Sequence, residues 1–105
     1  MKKKWLLLSL IGFLVSCSKQ ESMDALTARV FTVAEQQYLT MDTRLESTTL
    51  PQSIAPDSTF KSSTIYWWCS GFYPGSLWYI YEYTQNEAVK TLAEKNTLKL
   101  DPIQY

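Results

Sequence analysis

Tyr66-Trp67-Trp68-Cys69-Ser70-Gly71-Phe72-Tyr73-Pro74-Gly75-Ser76-Leu77-Trp78-Tyr79-Ile80-Tyr81-Glu82-Tyr83 carries three of the four Trp and five of the seven Tyr in this 105-residue chain. Its second half is aromatic or apolar on nearly every side of a helical wheel. An amphipathic surface helix has one apolar stripe, so a helix with this pattern calls for neighbours on several sides. Ser70 is a candidate cap, Gly71 and Gly75 allow close backbone approach, and Pro74 suits a first turn, where a missing N–H costs little. The helix is therefore predicted to begin between Ser70 and Tyr73 and to run to about Tyr83. Trp67 and Trp68 then lie at its N-terminal mouth.

Working outward toward the N-terminus, Ser47 to Thr64 is rich in Ser and Thr, and Pro51 and Pro56 each restrict the residue before them. The stretch reads as a long irregular loop with extended pieces, anchored by Ile54 and Phe60. Before it, apolar residues recur at Leu26, Val30, Val33, Ala34, Tyr38, Met41 and Leu45, the spacing of one helical face. That predicts an amphipathic helix from Met23 of about 35 Å at the usual rise per residue. Asp24 sits in its first turn, where the helix dipole favours an acid. Gln36, Asp42, Arg44 and Glu46 are assigned to its solvated face.

After the aromatic stretch, Thr84-Gln85-Asn86-Glu87 has the form of a capping box opening a third helix. Ala88, Val89, Leu92, Ala93 and Leu100 make its apolar face, while Lys90, Glu94, Lys95 and Lys99 are assigned to water. Asp101-Pro102 ends it, because proline disfavours helical geometry at the preceding residue. The fold class read from these patterns is all-α.

Met1-Lys2-Lys3-Lys4 is a basic n-region, followed by an apolar run from Trp5 to Val15 that is shorter than the roughly 20 residues a bilayer span needs. Leu14-Val15-Ser16-Cys17 resembles the bacterial lipoprotein box, in which the cysteine thiol is acylated and becomes the new N-terminus. The expected organisation is a lipoprotein signal peptide over 1–16, a polar tether over 17–22 with Cys17 as the lipidation site, and the domain over 23–105. The expected location is that of an exported bacterial lipoprotein, periplasmic or anchored to the outer membrane.

Without the signal, seven basic and ten acidic residues remain, a net charge of −3. That balance argues against nucleic acid as a partner. Cys69 is then the one thiol left, so no intrachain disulfide is expected. The chain contains no His, which excludes His-based chemistry and the commonest metal ligand. No metal and no cofactor are expected. The middle helix has more apolar surface than two neighbours cover, so the chain is expected to be the start of a larger helical protein, prone to aggregate on its own.

The run from Trp67 to Thr84, with its W-x-x-G-F-x-x-G-x-L-W-x-x-Y-E pattern, resembles the N-terminal signature of unsaturated glucuronyl hydrolases, glycoside hydrolase family 88. Leu100-Asp101-Pro102-Ile103-Gln104-Tyr105 resembles the family segment one helix later. The resemblance covers almost all of the chain after the signal but only about a quarter of a family catalytic domain. It implies the N-terminal helices of an (α/α)6 barrel, outer, inner and outer in chain order, with a sugar cleft over the N-terminal ends of inner helices. The implied reaction removes 4,5-unsaturated glucuronic acid from lyase-generated oligosaccharides by hydrating the vinyl ether double bond, with an Asp as acid and base, instead of two-carboxylate attack at the anomeric carbon.

Carried over residue by residue, the resemblance makes Trp68 a substrate-binding aromatic of the subsite for the unsaturated sugar, where an indole packs on the ring. Trp67, one residue earlier, is the second candidate. Trp78, Tyr81 and Phe72 read as core packing, and Glu82 as a carboxylate in need of a structural partner. The family's His-Asp pair lies beyond the matched segments, so no catalytic residue is expected in this chain and the polypeptide is expected to be inactive by itself. The expected partners are an unsaturated uronic-acid oligosaccharide and, through Cys17, a membrane. Two other functions compete with this one: an unsaturated rhamnogalacturonyl hydrolase, which shares the barrel, and a non-catalytic lipoprotein that binds sugars or a partner through its aromatics.

Overall fold

Ser22 opens the first helix: its side chain accepts from the Ala25 N–H at 3.2 Å, satisfying one of the donors a helix start leaves free. The computed structural model describes residues 20–104, so the expected signal peptide and lipidation at Cys17 lie outside the described residues. Helix α1 spans Met23–Asp42. A hairpin follows, β1 (Thr49–Ile54) against β2 (Phe60–Thr64), then α2 (Phe72–Thr84), α3 (Glu87–Leu98) and a short 3-10 turn at Asp101–Ile103. No helix among the described residues is long and apolar enough to cross a membrane.

The hairpin corrects the reading of 47–64 as an irregular loop. Its strands pair antiparallel, with Thr49 opposite Thr64 and Ile54 opposite Phe60, and an irregularity between Pro51 and Ser53. Both strands are edges, and Pro51 stands next to the irregularity, the position at which a strand tolerates a residue that cannot donate. The Ala55–Thr59 connection is held by Asp57, which accepts from the Thr59 N–H and hydroxyl, and by Ser58 in the left-handed region at φ 66°. Those two donors hold the exposed Asp57 carboxyl below the usual carboxylate range. Strand β1 also supplies Leu50, fully buried, to the core.

Helices α2 and α3 form an αα-hairpin through Gln85 and Asn86. Gln85 takes the left-handed conformation at φ 55°, and its N–H returns to the Tyr81 carbonyl at 2.8 Å. The cap of α3 is Asn86, not Thr84: its side chain accepts from the Ala88 N–H at 2.9 Å and donates to Glu35 of α1 at 2.8 Å. The Thr84 hydroxyl instead donates back to the Ile80 carbonyl of its own helix. Asn86→Ala is therefore expected to cost about 1–2 kcal/mol, and more than Thr84→Ala, in a urea titration.

The core is Leu50, Tyr73, Leu77, Ile80, Val89 and Ala93, with Phe31, Tyr38, Met41 and Leu92 packed around it. Two stacked aromatic pairs fix α1 on α2: Phe31 on Tyr83, with ring centroids 4.1 Å apart, and Tyr38 on Tyr73, at 5.5 Å. Burial, reinforced by the charge of Asp42 and by Tyr38, drives the Tyr73 hydroxyl far above its ordinary titration range. The expected all-α class thus becomes a mostly helical layer with one small sheet. The expected glycine contacts are not found, since a Cβ at Gly71 or Gly75 would meet nothing within 4 Å.

The middle helix buries only one side. Tyr73, Pro74, Leu77 and Ile80 are buried, while Phe72 and Tyr79 remain open to solvent and Trp78 and Tyr83, the latter stacked on Phe31, are covered in part. Phe72 is thus not core packing as the sequence suggests. Trp78 is 37% exposed and donates through Nε1 to the Thr97 hydroxyl at 3.0 Å, and Tyr81 is partly buried under Lys90. Glu82 is exposed, so the partner that burial would have demanded is unnecessary.

Candidate functional site

Residues 65–71 connect β2 to α2 through three successive tight turns. Trp67 N–H bonds to Thr64, Ser70 N–H to Trp67 and Phe72 N–H to Cys69. Ser70 is buried and does not cap α2; Gly71 occupies the cap position without a side-chain bond. These turns separate the two indoles. Trp67 is half-buried and lines a hollow of about 290 Å³ with Tyr38, Met41, Cys69, Phe72 and Tyr73, whereas Trp68 stands 83% exposed beside it. The two rings meet edge to face, centroids 6.1 Å apart.

Both sequence-nominated tryptophans therefore sit at the N-terminal mouth of α2, in different roles. Trp67 forms a wall, and Trp68 offers a free face on which an apolar ring or a sugar can lie. Phe72, read as core, belongs to this mouth as well. Its exposure was not legible from the helical wheel, because the wheel does not say which sides other elements cover.

A larger groove of about 590 Å³ adjoins the mouth, between the C-terminal half of α1 and the hairpin. The two hollows share Met41, Pro51 and Gln52. The groove had no signal in the sequence, since one of its walls is the hairpin read as a loop. No carboxylate lines either hollow among the described residues.

The polar joint of the fold lies elsewhere. Asp42, assigned to the solvated face, is 8% exposed; it accepts from Lys95 Nζ at 2.7 Å and from Asn96 Nδ2 at 2.9 Å. The second Asn96 N–H goes to the Leu92 carbonyl at 2.9 Å. Lys99, also assigned to water, donates to the backbone carbonyls of Glu46 and Thr49. Burial pushes the Asp42 carboxyl up, but the bonds from Lys95 and Asn96 and the charges of Lys95 and Lys99 outweigh it, and the net displacement is downward. Burial, reinforced by the neighbouring Lys95, holds the Lys99 amine below the usual lysine range.

A carboxyl whose folded pKa lies below its unfolded value contributes stability that is complete above the unfolded value, 3.8, and is lost as pH falls through the folded one. Helix packing is thus expected to weaken on acidification below about pH 4. A urea series from pH 6 to pH 2.5 checks this, and Asp42→Asn is expected to flatten it.

Comparison with known proteins finds one short match. A stretch of 31 residues is 52% identical to an unsaturated chondroitin disaccharide hydrolase of Streptococcus pneumoniae (strain ATCC BAA-255 / R6). The match spans 30% of this chain and 8% of that relative's length. No protein-family model and no solved structure matches the chain. The short match supports a relationship to glycoside hydrolases.

Proposed function

We propose that this chain is the N-terminal, sugar-facing part of a glycoside hydrolase that removes 4,5-unsaturated glucuronic acid from lyase-generated oligosaccharides. The observation that carries the reading is the match to a disaccharide hydrolase of that substrate type. The two tryptophans at the mouth of α2 support it as the platform for the terminal sugar. Such a ring is flattened by its double bond, and an indole face is a suitable surface for it. The exposed aromatic side of α2 supports the further reading that more helices of a barrel pack there.

In this reading the reaction is hydration of the vinyl ether. A proton goes to C4 and the water oxygen to C5, after which the unstable product opens and releases the glycosidic bond. In this reading the acid and base come from beyond the described residues, whose two hollows have no carboxylate in their lining. By itself the chain is inactive. The proposed location is that of an exported lipoprotein held by a lipid on Cys17, which Cys17→Ala would release from the membrane fraction.

The experiment uses the product of the complete reading frame and follows loss of the ultraviolet absorbance of an unsaturated chondroitin disaccharide. Turnover is expected, and Trp68→Ala is expected to lower kcat/KM by about tenfold, equivalent to ~1.4 kcal/mol of lost stacking. Turnover of unsaturated rhamnogalacturonan fragments instead would move the protein to the pectin-directed enzymes. The carboxylate-free hollows favour a second reading, a lipoprotein that binds sugars without cleaving them. Saturable binding of the disaccharide without turnover would establish that one.

A further inference from the structure

We infer that the groove between α1 and the hairpin is an anion-reading extension of the mouth, which takes a negatively charged group of a sugar further along the same oligosaccharide. The inference rests on the proposed reading of the mouth as a sugar site. It starts from continuity: Met41, Pro51 and Gln52 form a common wall, so a ligand leaving the mouth between Trp67 and Tyr73 enters the groove directly.

Charge complementarity selects the occupant. Arg44 lines the groove and, among the described residues, its guanidinium makes no ion pair and no hydrogen bond, in contrast to Arg29, which is held by Glu21 at 2.8 Å. Of the other lysines, Lys95 is engaged by Asp42 and Lys99 by backbone carbonyls, while Lys61, the strand partner of the groove residue Ser53, is not one of the residues lining the groove. Among the described residues no acid lines the groove to repel an anion or to neutralise Arg44. Around that cation, Gln37, Gln52 and Ser53 supply amide and hydroxyl groups, and Ile54 and Phe60 supply an apolar floor. A free planar cation with uncharged hydrogen-bonding groups and an aromatic ring suits an anionic glycan, whose hydroxyls, ring faces and carboxylate or sulfate match them in turn.

The test uses the product of the complete reading frame and saturated oligosaccharides, which vinyl ether hydration does not consume. Tryptophan fluorescence follows titration with a uronic-acid disaccharide and the corresponding tetrasaccharide at low salt. The tetrasaccharide is expected to bind about tenfold more tightly than the disaccharide, with Arg44→Gln removing that advantage and leaving disaccharide affinity unchanged. The advantage is also expected to shrink at high salt. A sulfated and an unsulfated tetrasaccharide distinguish the anion: an advantage kept without sulfate assigns a carboxylate to Arg44, and one that needs sulfate assigns the sulfate.

Equal affinity for the two lengths, or an advantage that survives Arg44→Gln, overturns the inference. So does a dimer in sedimentation equilibrium that Arg44→Gln dissociates, since the groove would then belong to a second copy. Failure of both lengths to bind overturns the inference as well; failure of the saturated disaccharide alone, with Arg44-dependent tetrasaccharide binding, supports the groove and restricts the mouth to the unsaturated sugar, whose turnover tests it separately.

Discussion

Leu77→Ala is expected to cost about 2–5 kcal/mol, enough to unfold most of this layer if its stability is typical of small domains. Leu77 is fully buried on the inner side of α2 and belongs to the cluster of Leu50, Tyr73, Ile80, Val89 and Ala93. Those neighbours come from three elements, β1, α2 and α3, so no single segment can shift to refill the space without disturbing another. The cost then includes both lost transfer energy and the cavity left behind. Tyr79, two residues along the same helix, is 73% exposed, and Tyr79→Ala is expected to stay within about 0.5 kcal/mol. Urea titration of both variants checks the contrast. Equal losses would mean that the outer side of α2 is covered by something that the layer itself does not supply.

Asp42→Ala is expected to cost about 2–3 kcal/mol, because it leaves one N–H of a fully buried amide without an acceptor. Asn96 keeps its bond to the Leu92 carbonyl, which limits the loss. Lys95→Ala should cost under about 1 kcal/mol, since the lysine side chain is 49% exposed and its charge is well served by water. The asymmetry distinguishes a buried acceptor from a simple surface ion pair. A double-mutant cycle between Asp42 and Asn96 is expected to show coupling near 1 kcal/mol or more. Equal small effects from Asp42 and Lys95 would place the carboxylate in water after all.

Much of the helical architecture was legible from spacing. The 3-and-4 recurrence of apolar residues in α1, the proline in the first turn of α2 and the Lys bias late in α3 all follow from one-helix physics. The errors occurred where local chemistry offered two solutions. Thr84 and Asn86 are both good caps, and the choice of Asn86 comes with its bond to Glu35, a residue 51 positions away. Ser and Thr with two prolines looked like a loop at 47–64, although Pro56-Asp57-Ser58 was a usable turn signal between two short extended runs.

The candidate site divides in the same way. The sequence nominates Trp67 and Trp68 through a motif that places them at a helix mouth. Their separation into wall and open face depends on three consecutive turns. Arg44 and Asp42 lie two residues apart, and a helical wheel put both in water. Contact with α3 took Asp42 into the interior and left Arg44 beside the groove.

By itself, then, the sequence determined the number and approximate extent of the α-helices among the described residues, the tryptophan-rich mouth and the absence of any histidine. These are properties of residue type and of spacing within one element, where local forces act alone. Only the tertiary structure decided which side of α2 is covered, which carboxylate is buried, which residue caps α3 and that a hairpin closes a groove against α1. Each of those depends on contacts between residues far apart in the chain. Burial and pairing are decided by what an element meets on folding.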